Sequence, residues 1–450
     1  TQSCGATSLA DSWGVATYTK DGSTYAVVTS NDDKSIEIID VTTPASPESV
    51  GRVQDTTYLN LATFLKITTI GDSTYAVVAS SGTKTTSSHV TMVDITDPAN
   101  PQVGGSLTDT TSILLKQPKS IDVYTVDAST YAVVASYADD GIVIVDISDP
   151  NALTHVANFG DTDSSCSDDG GHSHGNCELN GATGIEIFSI GSSTYAVVAS
   201  QSDAGIQIID ITTPSSPDAV GQVEDNATLL VNDPRGVDVF SIGTSTYVLV
   251  SDCGNVTNPN SCNGGGIEVL DISDPTAPTT VGEDGARLQN SDEREMKGTA
   301  YSTVYTLSNS TGNYLYAIAL GFADDGLEII HLGSEPTVTI TSSSGSSGDT
   351  INSTVFSYTV TFSLTTSDFT IEDITVTGTA NAGSPEASNF AGSGTTYTFD
   401  VVVSSSGTVS VTVPEGKATH TTTGQANTAS NIYTLTMQDE GSSTCARLVI

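Results

Sequence analysis

The string Ser-Thr-Tyr-Ala-Val-Val, followed some residues later by Ile-Ile-Asp-Ile-Thr-x-Pro, recurs with variants down this chain. Tyr25, Tyr75, Tyr131, Tyr195, Tyr247 and Tyr316 hold equivalent positions, separated by 50, 56, 64, 52 and 69 residues. A period near 40–50 residues with insertions is the mark of an array built from one supersecondary unit, each copy covering its neighbour's apolar face.

The clearest copy runs from Gly184 to Val223. Gly184–Ile190 alternates apolar and other residues and ends at the turn Gly191-Ser192-Ser193. Thr194–Ser200 is rich in β-formers, and Asp203-Ala-Gly205 breaks it. Ile206–Thr212 reads as a third strand, and Ala219–Val223 as a short fourth beyond the turn Thr213–Pro217. Four strands joined by tight turns predict an antiparallel meander. No window sustains a 3.6-residue apolar period, so almost no helix is expected.

The corresponding third strands are Ile36–Thr42, Val90–Thr96, Ile142–Ser148, Ile206–Thr212, Ile267–Ser273 and Leu327–Leu332. Their apolar-Asp-apolar core, followed by Thr or Ser and Pro, resembles the LVIVD-repeat family of propellers found in microbial surface and secreted proteins. The resemblance spans roughly residues 10–333 and implies a β-propeller, here of six blades. The sixth copy departs from the pattern. His331 replaces the repeated Asp40, Asp94, Asp146, Asp210 and Asp271, and the Pro turn and fourth strand are missing. Either residues 1–10 or a strand from a neighbouring molecule supplies the missing outer strand.

Composition shifts after Gly333 to a Thr/Ser-rich, strand-like segment without the repeat. Pro336–Ile340, Asp368–Thr377, Ala387–Phe399, Gly407–Gly416 and Ala426–Asn431 look like a bacterial Ig-like domain of the kind strung along adhesins. About seven short strands in ~100 residues fit a β-sandwich independently. His420 stands where such domains often carry Asp, which weakens an ion site at that end. The expected organisation is an all-β chain: segment 1–10, a six-bladed β-propeller over 11–334, a C-terminal Ig-like β-sandwich over 335–438, and a tail over 439–450. The tail ends in apolar, strand-prone Leu448, Val449 and Ile450, which cost solubility unless something covers them.

Thirteen Lys and Arg stand against 53 Asp and Glu, a net charge of −40. Such a surface repels nucleic acid and anionic membranes. It fits a secreted protein in salty or cation-containing water, where screening offsets self-repulsion. No stretch reads as a membrane span. The start at Thr1 without Met reads as a mature form after signal-peptide removal. Six cysteines support an oxidising compartment. Cys166 with Cys177, and Cys253 with Cys262, are simplest as local disulfides. Cys4 and Cys445 lie at opposite ends, and two closures are open. They staple one molecule on itself, or Cys445 of one subunit reaches Cys4 of the next. The second arrangement repeats without limit and gives a polymer. Four N-x-S/T sequons, at Asn226, Asn255, Asn309 and Asn352, are compatible with a glycoprotein.

The loop 161–177 gathers Asp161, Asp163, Asp168, Asp169, His172 and His174. Carboxylates among glycines suit Ca²⁺, and paired imidazoles suit Zn²⁺ or Cu²⁺. The plainer reading is a solvated acidic loop, and its spacing matches no EF-hand. Acidic turns lead into the third strands (Asp32-Asp33, Asp139-Asp140, Asp203, Asp324-Asp325), as expected for turn chemistry. Connections into the first strands carry Lys119, Arg235 and Lys297. These cations either neutralise the acidic turns or form a small basic mouth for an anionic or sugar ligand. The repeated third-strand Asp reads as a structural acceptor for turn backbone. No nucleophile elbow, Walker loop, zincin helix or Cys-x-x-Cys pair is present.

These features predict a non-enzymatic, extracellular, all-β surface protein needing no cofactor. The leading expectation is the repeating subunit of a filament or surface layer, a homopolymer joined through its termini. The alternative is a monomeric adhesin or carbohydrate-binding module using one propeller face. A propeller hydrolase or lyase is a third class for which no matched acid, base and nucleophile can be found.

Overall fold

The computed structural model describes residues 9–82, 87–161, 177–225, 231–242, 245–254, 265–281, 286–289, 299–309, 312–321, 326–334, 336–366, 368–383, 385–420 and 426–438. Cys4, Cys166, Cys262, Cys445, Asp163, Asp168, Asp169, His172, His174, Asn226, Asn255, Lys297, Leu448, Val449 and Ile450 lie outside them. Among the described residues there is no α-helix, only two short 3-10 turns at Ile371–Asp373 and Ala380–Gly383.

The repeats fold as consecutive antiparallel sheets. Sheet 1 contains Ser12–Lys20, Ser23–Ser30, Ser35–Asp40 and Glu48–Gln54, paired in that order. Sheet 2 (Ala62–Ile70, Ser73–Ser80, His89–Asp94, Gln102–Thr108) repeats the arrangement. So do sheet 3 (Pro118–Val126, Ser129–Ser136, Gly141–Asp146, Thr154–Gly160) and sheet 4 (Ala182–Ile190, Ser193–Ser200, Gly205–Asp210, Asp218–Glu224). Sheet 5 has Pro234–Ile242, Ser245–Asp252 and Gly266–Asp271, and its fourth position is shared by Thr279–Thr280 and Ala286–Gln289, both paired to the third strand. Among the described residues sheet 6 has three strands, Thr299–Asn309, Gly312–Gly321 and Gly326–Ser334.

In sheets 1 to 4 the first and second strands are joined by two-residue turns. At Asp21-Gly22 both residues have positive φ, 51° and 84°, matching the right-handed twist of a hairpin. Strand alternation then gives each sheet two apolar faces. Ile36 and Ile38 of sheet 1 pack with Val93 and Ile95 of sheet 2. Val90 and Met92 pack with Val143, Val145 and Ile147 of sheet 3. Ile142 and Ile144 meet Ile209 and Ile211 of sheet 4, and Ile206 and Ile208 meet Leu270 and Ile272 of sheet 5. Four cores therefore stack five sheets in chain order. The first strands are the close-approach layer. A Cβ on Gly14 would lie 2.5 Å from Thr63 O in the neighbouring sheet, and one on Gly184 would lie 2.9 Å from Arg235 O.

Contacts divide the chain into two compact units. The first contains sheets 1–5 with Ile318–Ile329, and the second takes Ser241–Ser245, Tyr305–Ala317 and Ile330–Ile450. Within the second, Val338–Ser342, Val355–Thr366 and Ala387–Val402 form one sheet. Thr350–Ile351, Tyr433–Met437, Gly407–Thr412 and Thr375–Gly378 form another. Both contribute to one core, in which Phe356, Tyr358, Phe362 and Phe399 meet Val409, Val411 and Leu435.

Candidate functional site

The repeated Asp closes each corner. Its Oδ1 accepts the N–H two residues on, at Asp40–Thr42 (2.9 Å), Asp94–Thr96 (2.8 Å), Asp146–Ser148 (2.9 Å), Asp210–Thr212 (2.8 Å) and Asp271–Ser273 (2.8 Å). The hydroxyl so positioned accepts the N–H of the second strand, as in Thr24 to Thr42 (2.8 Å) and Thr194 to Thr212 (2.9 Å). The turn aspartates are also used internally. Asp33, Asp139 and Asp203 accept the backbone N–H of Ala10 (3.3 Å), Lys116 (2.8 Å) and Asn180 (2.7 Å), in the segments entering the first strands. These carboxylates fasten loops, as turn chemistry anticipates.

A charged cluster on the first strands escaped the sequence reading. Lys66 of sheet 2 lies 3.1 Å from Asp122 of sheet 3 and 3.2 Å from Glu186 of sheet 4. Asp122 also accepts the N–H of Ile187 at 2.8 Å. Asp238 of sheet 5 accepts from Thr303 Oγ1 (2.9 Å) and Val304 N (2.6 Å). Burial, then the negative charge of Asp122, pushes Glu186 up to about 7 against the pull of Lys66. Burial works to lower Lys66, but Asp122 and Glu186 hold it above the ordinary lysine value. Each of the four sits two residues before the residue that pairs with the repeat tyrosine, namely Thr68, Tyr124, Phe188 and Phe240. Aligning the first strands on that residue would have revealed the ring.

Lys119 and Arg235 come five residues before Tyr124 and Phe240, and in the fold Lys119 feels the charge of Arg235. Burial, then the field of Arg235, lowers Lys119. Arg235 grips Asp233 with Nε to Oδ1 at 2.9 Å and Nη2 to Oδ2 at 3.0 Å. Lys119 Nζ stands 5.7 Å over the Tyr137 ring. Phe64 and Tyr301 meet at 5.7 Å, and burial pushes the Tyr301 hydroxyl up to about 12 against the pull of Arg235.

At the acidic loop, only Asp161 and Cys177 of the sequence candidates are described. Cys177 and Cys253 are both disulfide-bonded. Next to Cys177, Glu178 is buried, and burial followed by Asp203, Glu224 and Asp161 pushes it up to about 8. Among the described residues no group of three or more His, Cys, Asp or Glu is arranged to hold a metal ion. Asn352 is exposed, as a sequon acceptor must be, and Asn309 lies on the first strand of sheet 6.

The flanks of the array differ from its interior seams. Val15, on the first strand of sheet 1, is 65% exposed, whereas its counterparts Leu65, Ile121 and Ile185 are 6%, 2% and 2% exposed. Leu327 and Ile329, on the third strand of sheet 6, are 53% and 56% exposed. Their counterparts Ile36, Ile38, Val90, Met92, Ile142, Ile144, Ile206 and Ile208 are 0–1% exposed. Trp13 and Leu320 are exposed on the same flanks.

This all-β architecture of antiparallel four-stranded sheets is propeller-like, and the chain carries LVIVD repeats: residues 129–161, 192–225 and 262–283 each match that repeat. No curated protein matches the chain. Similar solved structures include a protein of unknown function from Desulfotomaculum acetoxidans (15% identity, 70% of this chain and 89% of that one, TM-score 0.40). Another is an exo-β-1,3-galactanase from Phanerochaete chrysosporium (10%, 87% and 92%, TM-score 0.39). A third is a protein from Lactobacillus plantarum (13%, 92% and 93%, TM-score 0.38). All three fall below a TM-score of 0.5 and say nothing about activity.

Proposed function

We propose that this protein is an extracellular structural subunit that self-associates into a filament or surface layer through its terminal segments. In this reading the six repeats are propeller blades whose ring stays open between sheets 1 and 6, and the C-terminal unit is an Ig-like sandwich. The observation that carries it is the pair of uncovered flanks. Apolar positions buried at the seams between sheets 1 to 4 stand exposed at Val15, and at Leu327 and Ile329 on a sheet that has three strands among the described residues. An exposed apolar sheet face next to an unpaired edge invites strand addition from another chain. Disulfides at Cys177 and Cys253 support an oxidising, extracellular setting.

The test is assembly against concentration, by light scattering and electron microscopy, for the full chain and for a chain ending at Gln438. The full chain is expected to form polymers and the shortened one to stay monomeric. Polymers from the shortened chain would remove the terminal segment from the assembly, and a full chain monomeric at every concentration would end the reading.

A second reading, an adhesin or carbohydrate-binding module, is favoured by Lys119. It is half-buried beside another cation, with Tyr137 as its aromatic neighbour. An anionic sugar would offset the field of Arg235 at Lys119. Glycan-array binding lost in Lys119→Met combined with Arg235→Met would support this reading, and unchanged binding would exclude the mouth.

A further inference from the structure

The charged cluster on the first strands places an amine, a carboxyl group and a proton carrier within reach of one another. Lys66 Nζ lies 3.1 Å from Asp122 Oδ1 and 3.2 Å from Glu186 Oε2. The three residues stand at the same step of the repeat, on the first strands of sheets 2, 3 and 4. The pair Arg235–Asp233 carries the same charges but lacks this chemistry, because a guanidinium keeps its proton.

We propose that Lys66 and Asp122 condense to an amide, an isopeptide bond between sheets 2 and 3, with Glu186 as the catalytic residue. The inference is independent of how molecules associate and goes beyond that reading.

The atoms balance without a co-reactant. Nζ attacks Cγ of Asp122, the Cγ–Oδ1 bond breaks, and Oδ1 leaves as water. Two protons leave Nζ for that water, carried by Glu186. One ammonium and one carboxylate become one amide and one water, so net charge is unchanged and nothing is oxidised or reduced.

Asp122 is 6% exposed, and backbone N–H groups hold both its oxygens, Val123 on Oδ1 and Ile187 on Oδ2, each at 2.8 Å. The Ile187 donor is in place for the negative charge that gathers on Oδ2 in the tetrahedral intermediate. Burial, then Asp122, pushes Glu186 up to about 7, where a carboxyl group both accepts and returns a proton at neutral pH. Asp238 also favours its protonated form. The Lys66 side chain is 36% exposed, which gives the released water an exit.

The slow part is the first proton. Asp122 and Glu186 hold Lys66 above the ordinary lysine value, so its proton passes uphill to Glu186. The amine–acid form is present in fewer than about one folded chain in a thousand at any moment. A bond that forms once in the life of a chain needs no more. Groups held in well-oriented contact react as if at about 10⁵–10⁸ M, far above the concentration of water, which favours the amide over its hydrolysis. The finished bond constrains the unfolded chain as a disulfide does, without depending on redox conditions.

Peptide mapping of the full chain tests this. Trypsin cuts after a free lysine, so an unlinked, reduced chain gives residues 53–66, 67–84 and 120–235 as separate peptides. The parent is expected to give residues 53–84 joined to 120–235, lighter by one water than the two together. Glu186→Gln keeps the size but cannot carry the proton. It is expected to fold, by its β-type circular dichroism, and to give the separate peptides. Asp122→Asn is expected to give the same joined peptide as the parent, because ammonia leaves in place of water. A parent that yields only the separate peptides after prolonged incubation at pH 7 would overturn the bond. A joined peptide whose fragments place Lys66 on a residue other than Asp122 would overturn the partner. Linkage in Glu186→Gln equal to the parent's would overturn the role of Glu186.

Discussion

Asp210 shows how one carboxylate sets a corner. Its Oδ1 holds Thr212 N at 2.8 Å, and the hydroxyl of Thr212 in turn receives Thr194 N at 2.9 Å. Removing the acceptor in Asp210→Ala leaves Thr212 N to find water and loosens the hydroxyl that receives Thr194 N. The cost should be ~1 kcal/mol, and Asp210→Asn, which keeps the acceptor, should recover most of it, both read from denaturant midpoints. Glu178 makes a different prediction. Its folded-state value, pushed up to about 8, lies above its unfolded value of 4.5, so between these pH values the folded chain holds a proton that the unfolded chain has released. Stability should therefore be greatest below pH 4.5 as far as this group is concerned. It should fall by about 1.4 kcal/mol per pH unit as the pH rises toward 8. In Glu178→Gln this part of the slope should vanish from thermal melts recorded across pH 5–8.

At the scale of elements, close approach of neighbouring sheets decides what each strand tolerates. Gly221 faces Pro275 O of the next sheet with room for no side chain, so Gly221→Ala should destabilise by about 1–3 kcal/mol although alanine has the better strand geometry. Lys66 ties the first strands of sheets 2, 3 and 4. Lys66→Met would leave Asp122 and Glu186 facing one another without a cation. Because the lysine is partly solvated, about 1–2 kcal/mol is expected, lost at pH 8 and largely regained at pH 5 as Glu186 takes up a proton. The number and order of strands in sheets 1–4 were legible from alternation and turn residues. The split fourth position of sheet 5 was not, because Thr279–Thr280 and Ala286–Gln289 are too short to carry a period.

For the whole molecule, the governing facts are a net charge of −40 and two uncovered apolar flanks. The first opposes association of identical subunits and the second drives it. Long-range repulsion is screened within about 10 Å at 0.1 M salt, whereas burial of Val15, Leu327 and Ile329 is not weakened by salt. Assembly should therefore strengthen as ionic strength rises from ~10 to ~150 mM, seen as a lower onset concentration in light scattering. Weaker assembly at higher salt would place the driving force in charge pairs instead.

The amino-acid sequence by itself determined the repeating unit, the strand character of the described residues and the corner role of the third-strand Asp. Each depends on residues close in sequence: alternation, turn formers and an Asx acceptor two residues from its donor. Tertiary structure decided which first strands become neighbours. That choice put Lys66 between Asp122 and Glu186 and set Lys119 within the field of Arg235. It also decided which apolar faces find a partner. Ile38 and Ile329 are the same residue at the same step of the repeat, and only the packing of whole sheets buries one and leaves the other exposed.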